Sequence, residues 1–537
     1  MRTPLNTLAG RLARRVCLAA LFAGSIAAQA LTPAQVRGIA SGDTDARIAA
    51  LNQAVAQGDP SLGAFVQAML DDAVKRSGDQ VLVVRDGKAI DAASLAPVAL
   101  PANADDVINN NRMRGALEAA MSGLKLFSTD PAVRDAAVGD LLKQSLDETQ
   151  LPLIERAYAA ETVPAIKTRL DRMRSTILIA SSDKAQRLAA AHALAASGQA
   201  SVRGLLLDRL AAGGEADPQV RAALRKALSD IDTKLAWGDR LGVIFTGVSL
   251  GSILLLVALG LAITYGLMGV INMAHGELMM IGAYATYVVQ QLFRTWLPGA
   301  FDAYVVAAIP ASFLAAALVG AVLERSVIRW LYGRPLETLL ATWGISLMLQ
   351  QGVRSLFGAQ NVLVENPGWL SGGFDATDNL TLPYNRLAII VFAALVLAGV
   401  ALLIARTRLG LFVRGVTQNR RMAACMGVNT ARIDTYAFAL GSGLAGLAGC
   451  ALSQVGNVGP DLGQGYIVDS FMVVVLGGVG QLAGTVYAAL GLGVLNKLLE
   501  GWQGAVLAKI MVLVFIVIFI QKRPQGIFAM KGRSAEA

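Results

Sequence analysis

Apolar residues are distributed along this chain in two different ways. From about residue 31 to 240, Ala, Leu and Val recur at helical spacing among frequent Asp, Glu, Lys and Arg, which is the pattern of helices that bury one face. From 241 to 521 apolar residues dominate, and charges gather into a few short stretches. One soluble helical domain followed by one membrane domain is the simplest division. In the membrane region, apolar stretches predict spans near 242–265, 274–292, 304–323, 337–353, 386–405, 433–454, 468–499 and 504–521. The seventh is interrupted by Gly477, Gly478, Gly480 and Gly484 and reads as two half-helices. Irregular backbone at membrane depth is tolerated only where it is buried in protein or lines a cavity, so this break is a candidate lining for a pathway.

Within the soluble region a phrase recurs. Asp130-Pro131-Ala132-Val133-Arg134-Asp135-Ala136-Ala137 resembles Asp217-Pro218-Gln219-Val220-Arg221-Ala222-Ala223-Leu224. Asp183 to Ala190 is a looser copy, and Asp43 to Ala50 looser still. Asp caps the helix, Pro suits its first turn, and the Val and Ala positions pack inward. This looks like stacked HEAT-type helical pairs; a generic helical bundle is the other reading. Val81-Leu82-Val83-Val84 runs into Asp86-Gly87, a hairpin signal, and predicts a short two-stranded insert. His192, alone on an Ala-rich helix, reads as structural, and this domain shows no catalytic constellation.

Ahead of it, Arg2, Arg11, Arg14 and Arg15 precede an apolar run from Val16 to Ala28, and Ala28-Gln29-Ala30 fits a cleavage site. Residues 1–30 therefore read as a signal peptide, with an uncleaved anchor as the alternative. Either reading puts residues 31–235 outside the cytoplasm. The expected organisation is all-α, with a periplasmic helical domain over 31–235 and a polytopic transmembrane domain over 241–530.

Composition narrows the classes. Hydrophobic residues make up 55% and charged residues only 16%, against roughly 25% in soluble domains. The net charge of +9 lies largely beside membrane segments, and no nucleic-acid-binding pattern appears, so no nucleic acid is expected as a partner. Cys17, Cys425 and Cys450 offer neither a disulfide framework nor a CxxC metal site, so no metal or other cofactor is expected.

Loop charges predict orientation. If the first span is entered from outside, the loop with Arg325, Arg329 and Arg334 is cytoplasmic, and so is the loop with Arg406, Arg408, Arg414, Arg420, Arg421 and Arg432. The loop with Glu365, Asp375 and Asp378 is then external, in keeping with the positive-inside rule. A cytoplasmic tail, with Lys522, Arg523, Lys531 and Arg533, requires the broken seventh segment to count as two crossings.

Three motifs could carry a mechanism. Asn272, His275 and Glu277 sit in a short apolar turn, Val270 to Glu277, and read either as a gate or pathway lining or as helix caps. The basic loop Gly410–Asp434 is centred on Arg420 to Asn429. There Met422, Ala423 and Met426 are expected to share an apolar face while Arg420 and Arg421 stay solvated, forming a helix that docks on a cytoplasmic partner; an ordinary positive-inside loop is the alternative. Gly247-x-x-x-Gly251, Gly480-x-x-x-Gly484 and the row Gly441, Gly443, Gly446, Gly449 predict close helix packing. No G-x-x-x-x-G-K-[ST] occurs, so a Walker-type ATPase would have to be a separate chain.

Tyr265 to Glu277, Val475-Leu476-Gly477-Gly478-Val479-Gly480 and Arg523-Pro524-Gln525-Gly526-Ile527-Phe528 together resemble the branched-chain amino acid (LivH-type) permease family of ABC importers, over about residues 240–530. The resemblance implies a second permease subunit, two cytoplasmic ATPase subunits and a periplasmic substrate-binding protein. It also places ATPase contact in the basic loop, through Arg414, Arg420, Arg421, Ala423 and Gly427. Ala423 and Gly427 match the E-A-A-x-x-x-G pattern of ABC permeases, whereas Arg421 and Met422 replace its Glu and first Ala. Asn272, His275, Glu277, Gly477, Gly478 and Gly480 are the expected pathway residues. The long exported extension looks like the urea-transporting branch (UrtB type), so urea is the expected solute. Branched-chain amino acids or short amides are the alternative, and a passive channel or a membrane-anchored sensor are rivals from other classes.

Overall fold

The computed structural model describes residues 31–528, apart from 58–60, 86–87, 102, 144–149 and 212–213. The expected signal peptide with Cys17, and the Asp86-Gly87 turn, lie outside the described residues. The chain divides into two compact units at Lys234/Leu235.

The first unit holds helices α1 (Pro33–Ala40), α2 (Thr44–Gln57), α3 (Leu62–Leu70), α4 (Asn111–Lys125), α5 (Pro131–Leu142), α6 (Leu151–Ala160), α7 (Pro164–Leu178), α8 (Lys184–Leu194) and α9 (Ala200–Leu210). The recurring phrase is a recurring construction. Asp130, Asp183 and Asp217 each accept a hydrogen bond from the backbone N–H two residues on, at 2.9, 2.9 and 2.8 Å. Four residues after the first two caps, Arg134 and Arg187 donate back to the carbonyls of Ser128 and Ser181 and pair with Glu161 and Glu215. Those carboxylates in turn accept backbone N–H groups at the start of the next helix, Val163 and Asp217. Each buried ion pair is thus fully hydrogen-bonded, the condition under which burying charge is tolerable.

The expected two-stranded insert is a five-stranded antiparallel sheet, in the order β4-β3-β2-β1-β5. Its strands are β1 (Val74–Ser77), β2 (Gln80–Arg85), β3 (Lys88–Asp91), β4 (Pro97–Val98) and β5 (Asp105–Asp106). A lone hairpin is marginal, and Val81 and Leu82 are buried, so β2 needs neighbours on both sides. β4 and β5 are two residues long and carry Pro or Asp, so they leave no alternating pattern in the sequence.

Helix α10 (Pro218–Met268) runs from the first unit into the second. Then come α11 (His275–Trp296), α12 (Tyr304–Ser326), α13 (Pro335–Phe357), hairpin β6–β7 (Gly373–Thr377, Leu380–Pro383), α14 (Tyr384–Arg406), α15 (Arg408–Gln418), α16 (Arg420–Cys425), α17 (Thr430–Ser453), α18 (Gln464–Gly477), α19 (Leu482–Gln503) and α20 (Ala505–Lys522). Among the described residues, six helices are long and apolar enough to cross a membrane. The chain is therefore a multi-pass helical membrane protein, and α11 and α13, richer in polar residues, complete its bundle.

α17 is the most enclosed of the six, and its glycines are the reason. Gly446 lies backbone to backbone against Gly282 of α11 and also meets the Ser312 carbonyl of α12, while Gly449 meets the Met279 carbonyl. Gly247 and Gly251 of α10 take the same role against α19, where an added Cβ would stand 2.6 Å from Val494 Cα and 2.8 Å from the Ala489 carbonyl. Both expected glycine rows therefore pack helices closely. Gly480 differs: it lies in the link between α18 and α19, and Gly484 packs on Gly477 instead.

Candidate functional site

α10 ends at Met268, but α11 does not begin at that level. Residues 269–274 turn back along α10, and the His275 ring reaches the Val257 carbonyl, 3.2 Å from Nε2. Val257 lies eleven residues before the end of α10, or about 16 Å at 1.5 Å per residue. α11 therefore starts deep inside the bundle. The three polar residues of this turn diverge. Asn272 Oδ1 accepts the Ala274 N–H at 3.0 Å, so Asn272 stabilises the turn. His275 faces α10. Glu277 caps no neighbouring helix end: its Oε1 accepts Ser346 Oγ at 2.7 Å and Gln350 Nε2 at 2.8 Å, both from α13. All three are fully buried.

A second helix starts at the same depth. Gly463, just before α18, abuts Gly276, where a Cβ would stand 2.6 Å from the Gly463 carbonyl oxygen. Only glycine on both sides allows two helix starts to meet this closely. α18 is a half-helix of 14 residues that ends at Gly477, so the seventh stretch is two helices, as its glycines predict. Gly478 and Gly480 have φ of +99° and +76°, conformations that L side chains avoid. The orphan carbonyls at this break are met by the tail. Ile527 N–H donates to Leu476 O at 2.8 Å and Phe528 N–H to Gly477 O at 3.4 Å. Two phrases far apart in sequence, Val475–Gly480 and Arg523–Phe528, form one joint. Gly478 faces that joint, Gly477 packs on Gly484 of α19, and Gly480 lies against Gly266, near the end of α10.

The basic loop is two capped helices. Thr407, Asn419 and Asn429 cap α15, α16 and α17 in turn. Gly427, with φ of +84°, closes α16: its N–H bonds to Ala424 O and the Val428 N–H to Ala423 O. Two expectations for this loop are corrected. Arg420 is not simply solvated; it grips the buried Asp434 carboxylate with both Nη atoms and lies 4.3 Å over the Tyr332 ring. Met422 and Met426 are exposed, but Ala423 packs inward rather than sharing their face, because it sits on the side of α16 that the chain closes over. Arg421 is exposed.

A cavity of about 530 Å³ sets Arg414 of the basic loop beside Gly480 of the break. Arg414, Thr417 and Gln418 of α15 form one wall, Gly480 and Gln481 of the break another, and Ala262, Gly266 and Leu267 of α10 a third. Asn272, His275 and Glu277 lie apart from it, deeper in the bundle. Sequence reasoning linked neither Glu277 to Ser346 and Gln350 nor Arg420 to Asp434. The available signal was two polar residues one turn apart on an apolar helix, and a lone Asp at the start of α17.

Known proteins extend this description. A family profile described as "Branched-chain amino acid transport system / permease component" matches residues 243–520. The chain is 29% identical to the high-affinity branched-chain amino acid transport system permease protein BraD of Pseudomonas aeruginosa, over 52% of this chain and 93% of that protein. It is 28% identical to the permease protein LivH of Escherichia coli, over 53% of this chain and 93% of LivH. A probable LivH of Methanocaldococcus jannaschii is 25% identical over 51% and 88%. No solved structure matches the chain.

Proposed function

This chain belongs to the branched-chain amino acid transport system permease component family, and on that premise we propose that it is the membrane-spanning subunit of an ATP-driven importer of branched-chain amino acids. A second permease subunit, two cytoplasmic ATPase subunits and a periplasmic binding protein complete the assembly, and the basic end of the bundle faces the cytoplasm of a bacterial inner membrane. Residues 31–235 lie on the periplasmic side, behind a signal peptide over 1–30.

The observation that carries this reading is the cavity shared by α15, the glycine break and the end of α10. α15 and α16 are short, capped, basic and partly exposed, and they are tied to the base of α17 through Arg420–Asp434. An ATPase that pushes on this loop moves one wall of the cavity directly and the foot of α17 with it. Binding and hydrolysis on the partner would thereby bias the bundle between inward and outward openings. The chain itself performs no covalent chemistry in this scheme.

Urea is the second reading. It is favoured by the first unit, which lies outside the residues 243–520 that the family profile matches, and by the resemblance of such an extension to the urea branch. The test is uptake of labelled leucine and labelled urea, at micromolar levels, by cells carrying this chain with its candidate partners, with and without ATP depletion. ATP-dependent leucine uptake supports the first reading, and ATP-dependent urea uptake that leucine does not compete supports the second. Uptake indifferent to ATP overturns the importer. Gly427→Arg is expected to abolish uptake with normal membrane insertion; normal uptake removes α16 from coupling.

A further inference from the structure

Glu277 is a carboxyl in the first turn of α11, 1% exposed and followed by the buried apolar residues Leu278, Met279 and Met280. A carboxyl at such a place is costly unless its oxygens are satisfied. Ser346 and Gln350, one turn apart on α13 and so on one face, satisfy Oε1. Among the described residues, Oε2 has no protein partner. If Glu277 served only to tie α11 to α13, the Oε1 bonds would complete the tie and an amide would suffice. The second oxygen would then be a cost of about 1–3 kcal/mol with no return.

Its surroundings suit a solute. Tyr284, seven residues on and therefore on the same face of α11, is also buried with its hydroxyl unpartnered, and its ring lies 4.7 Å from Phe357 of α13. Asn272 Nδ2, in the turn before α11, lacks a partner too. Asp461, exposed in the turn ahead of α18, acts electrostatically on both Glu277 and Tyr284. Among the described residues, this acceptor and these two donors thus stay unpartnered along α11 and the turn before it, where two helices begin inside the bundle, the setting in which discontinuous helices build solute sites.

We propose that Glu277 holds the transported solute: Oε2 accepts an N–H from it, and Ser346 and Gln350 are positioning residues that aim the carboxyl from α13. This rests on the permease reading above. The shared chemistry is an N–H group, from the ammonium of an amino acid or the amide of urea, donated to a carboxyl oxygen.

The test is equilibrium binding of labelled leucine and of labelled urea to the assembled complex in nanodiscs, without the binding protein. One label should bind to the wild type, and its identity names the N–H source. Glu277→Gln should weaken binding about tenfold or more, and Ser346→Ala and Gln350→Ala roughly three- to tenfold, in complexes that still assemble. If Glu277→Gln does not assemble, the two α13 variants decide. Wild-type affinity in the variants overturns the site while leaving ATP-driven uptake, and so the permease reading, intact. Wild-type complex that binds neither label overturns the site as well. Absence of uptake by wild type removes the permease reading and this inference with it.

Discussion

Gly526 is the residue that lets the tail reach the break between α18 and α19, and replacing it with Ala tests whether that joint holds the bundle. Its φ is +77°, so an L side chain there costs about 1–2 kcal/mol from backbone strain alone. The new Cβ would also stand 2.7 Å from Gly478 N, 2.8 Å from Gly478 Cα and 2.9 Å from Val475 O. These are backbone atoms at a helix end and cannot swing aside, so the tail must lift. Lifting it releases the strong Ile527–Leu476 bond and the weaker Phe528–Gly477 bond, and parts the Phe528 ring from Tyr487, 5.9 Å away. One carbonyl left unsatisfied costs about 1–3 kcal/mol and a lost aromatic pair about 1 kcal/mol. Those contacts hold the tail by about 2–4 kcal/mol, and the strain together with three backbone clashes below 3.0 Å works against them, enough to undock the tail in most molecules. Hydrogen exchange reads this directly: the amides of Ile527 and Phe528 should exchange at least about thirtyfold faster in Gly526→Ala. Gly504→Ala is the matched control, because its φ is +80° but a Cβ there meets nothing within 4 Å. It carries the backbone strain without the clash, and should leave the tail amides protected. Equal exchange in Gly526→Ala and wild type would refute the reasoning.

Other outcomes follow from the same structure. Arg134, by its hydrogen bond to Glu161, and the backbone N–H groups of Thr162 and Val163 hold the Glu161 carboxyl down to about 2, from an ordinary 4.5. A depressed pKa stabilises the fold fully above the unfolded value, and that stability is lost as pH falls from about 4.5 towards 2. The midpoint gap between wild type and Glu161→Gln, worth about 3 kcal/mol at most near neutral pH, should therefore close over that window. Arg420→Ala should cost about 3 kcal/mol in unfolding by stranding the buried Asp434, and Arg420→Ala with Asp434→Ala should cost less than the sum of the single changes. Gly282→Leu drives its Cβ into the Gly446 carbonyl and should abolish folded protein in detergent extracts, whereas Gly415→Leu, with open space around it, should not.

Much of this protein is written locally. Spans in the second unit are legible because the membrane demands long apolar runs, and caps such as Asp130 and Asp183 are legible because a helix start needs an acceptor within two or three residues. The break at Gly477–Gly480 is legible because positive φ demands glycine. The recurring Asp-x-x-x-Arg phrase is legible as a cap, but its meaning as an ion pair is not, since Glu161 and Glu215 stand 27 and 28 residues beyond their arginines.

The rest was settled by packing across the bundle. Whether Glu277 caps a neighbouring helix end or reaches across the bundle depended on where α13 lies, 69 residues away. The same holds for the tail closing the break and for Arg420 turning inward to Asp434. In each case a polar group has several partners within reach of its local chain, and the selection falls to whichever element packing brings closest. Sequence periodicity fixes which face of a helix is buried. It does not fix which face of which other helix it meets, because that is set by the close backbone approaches of Gly276, Gly282, Gly446 and Gly463, whose partners no pattern names.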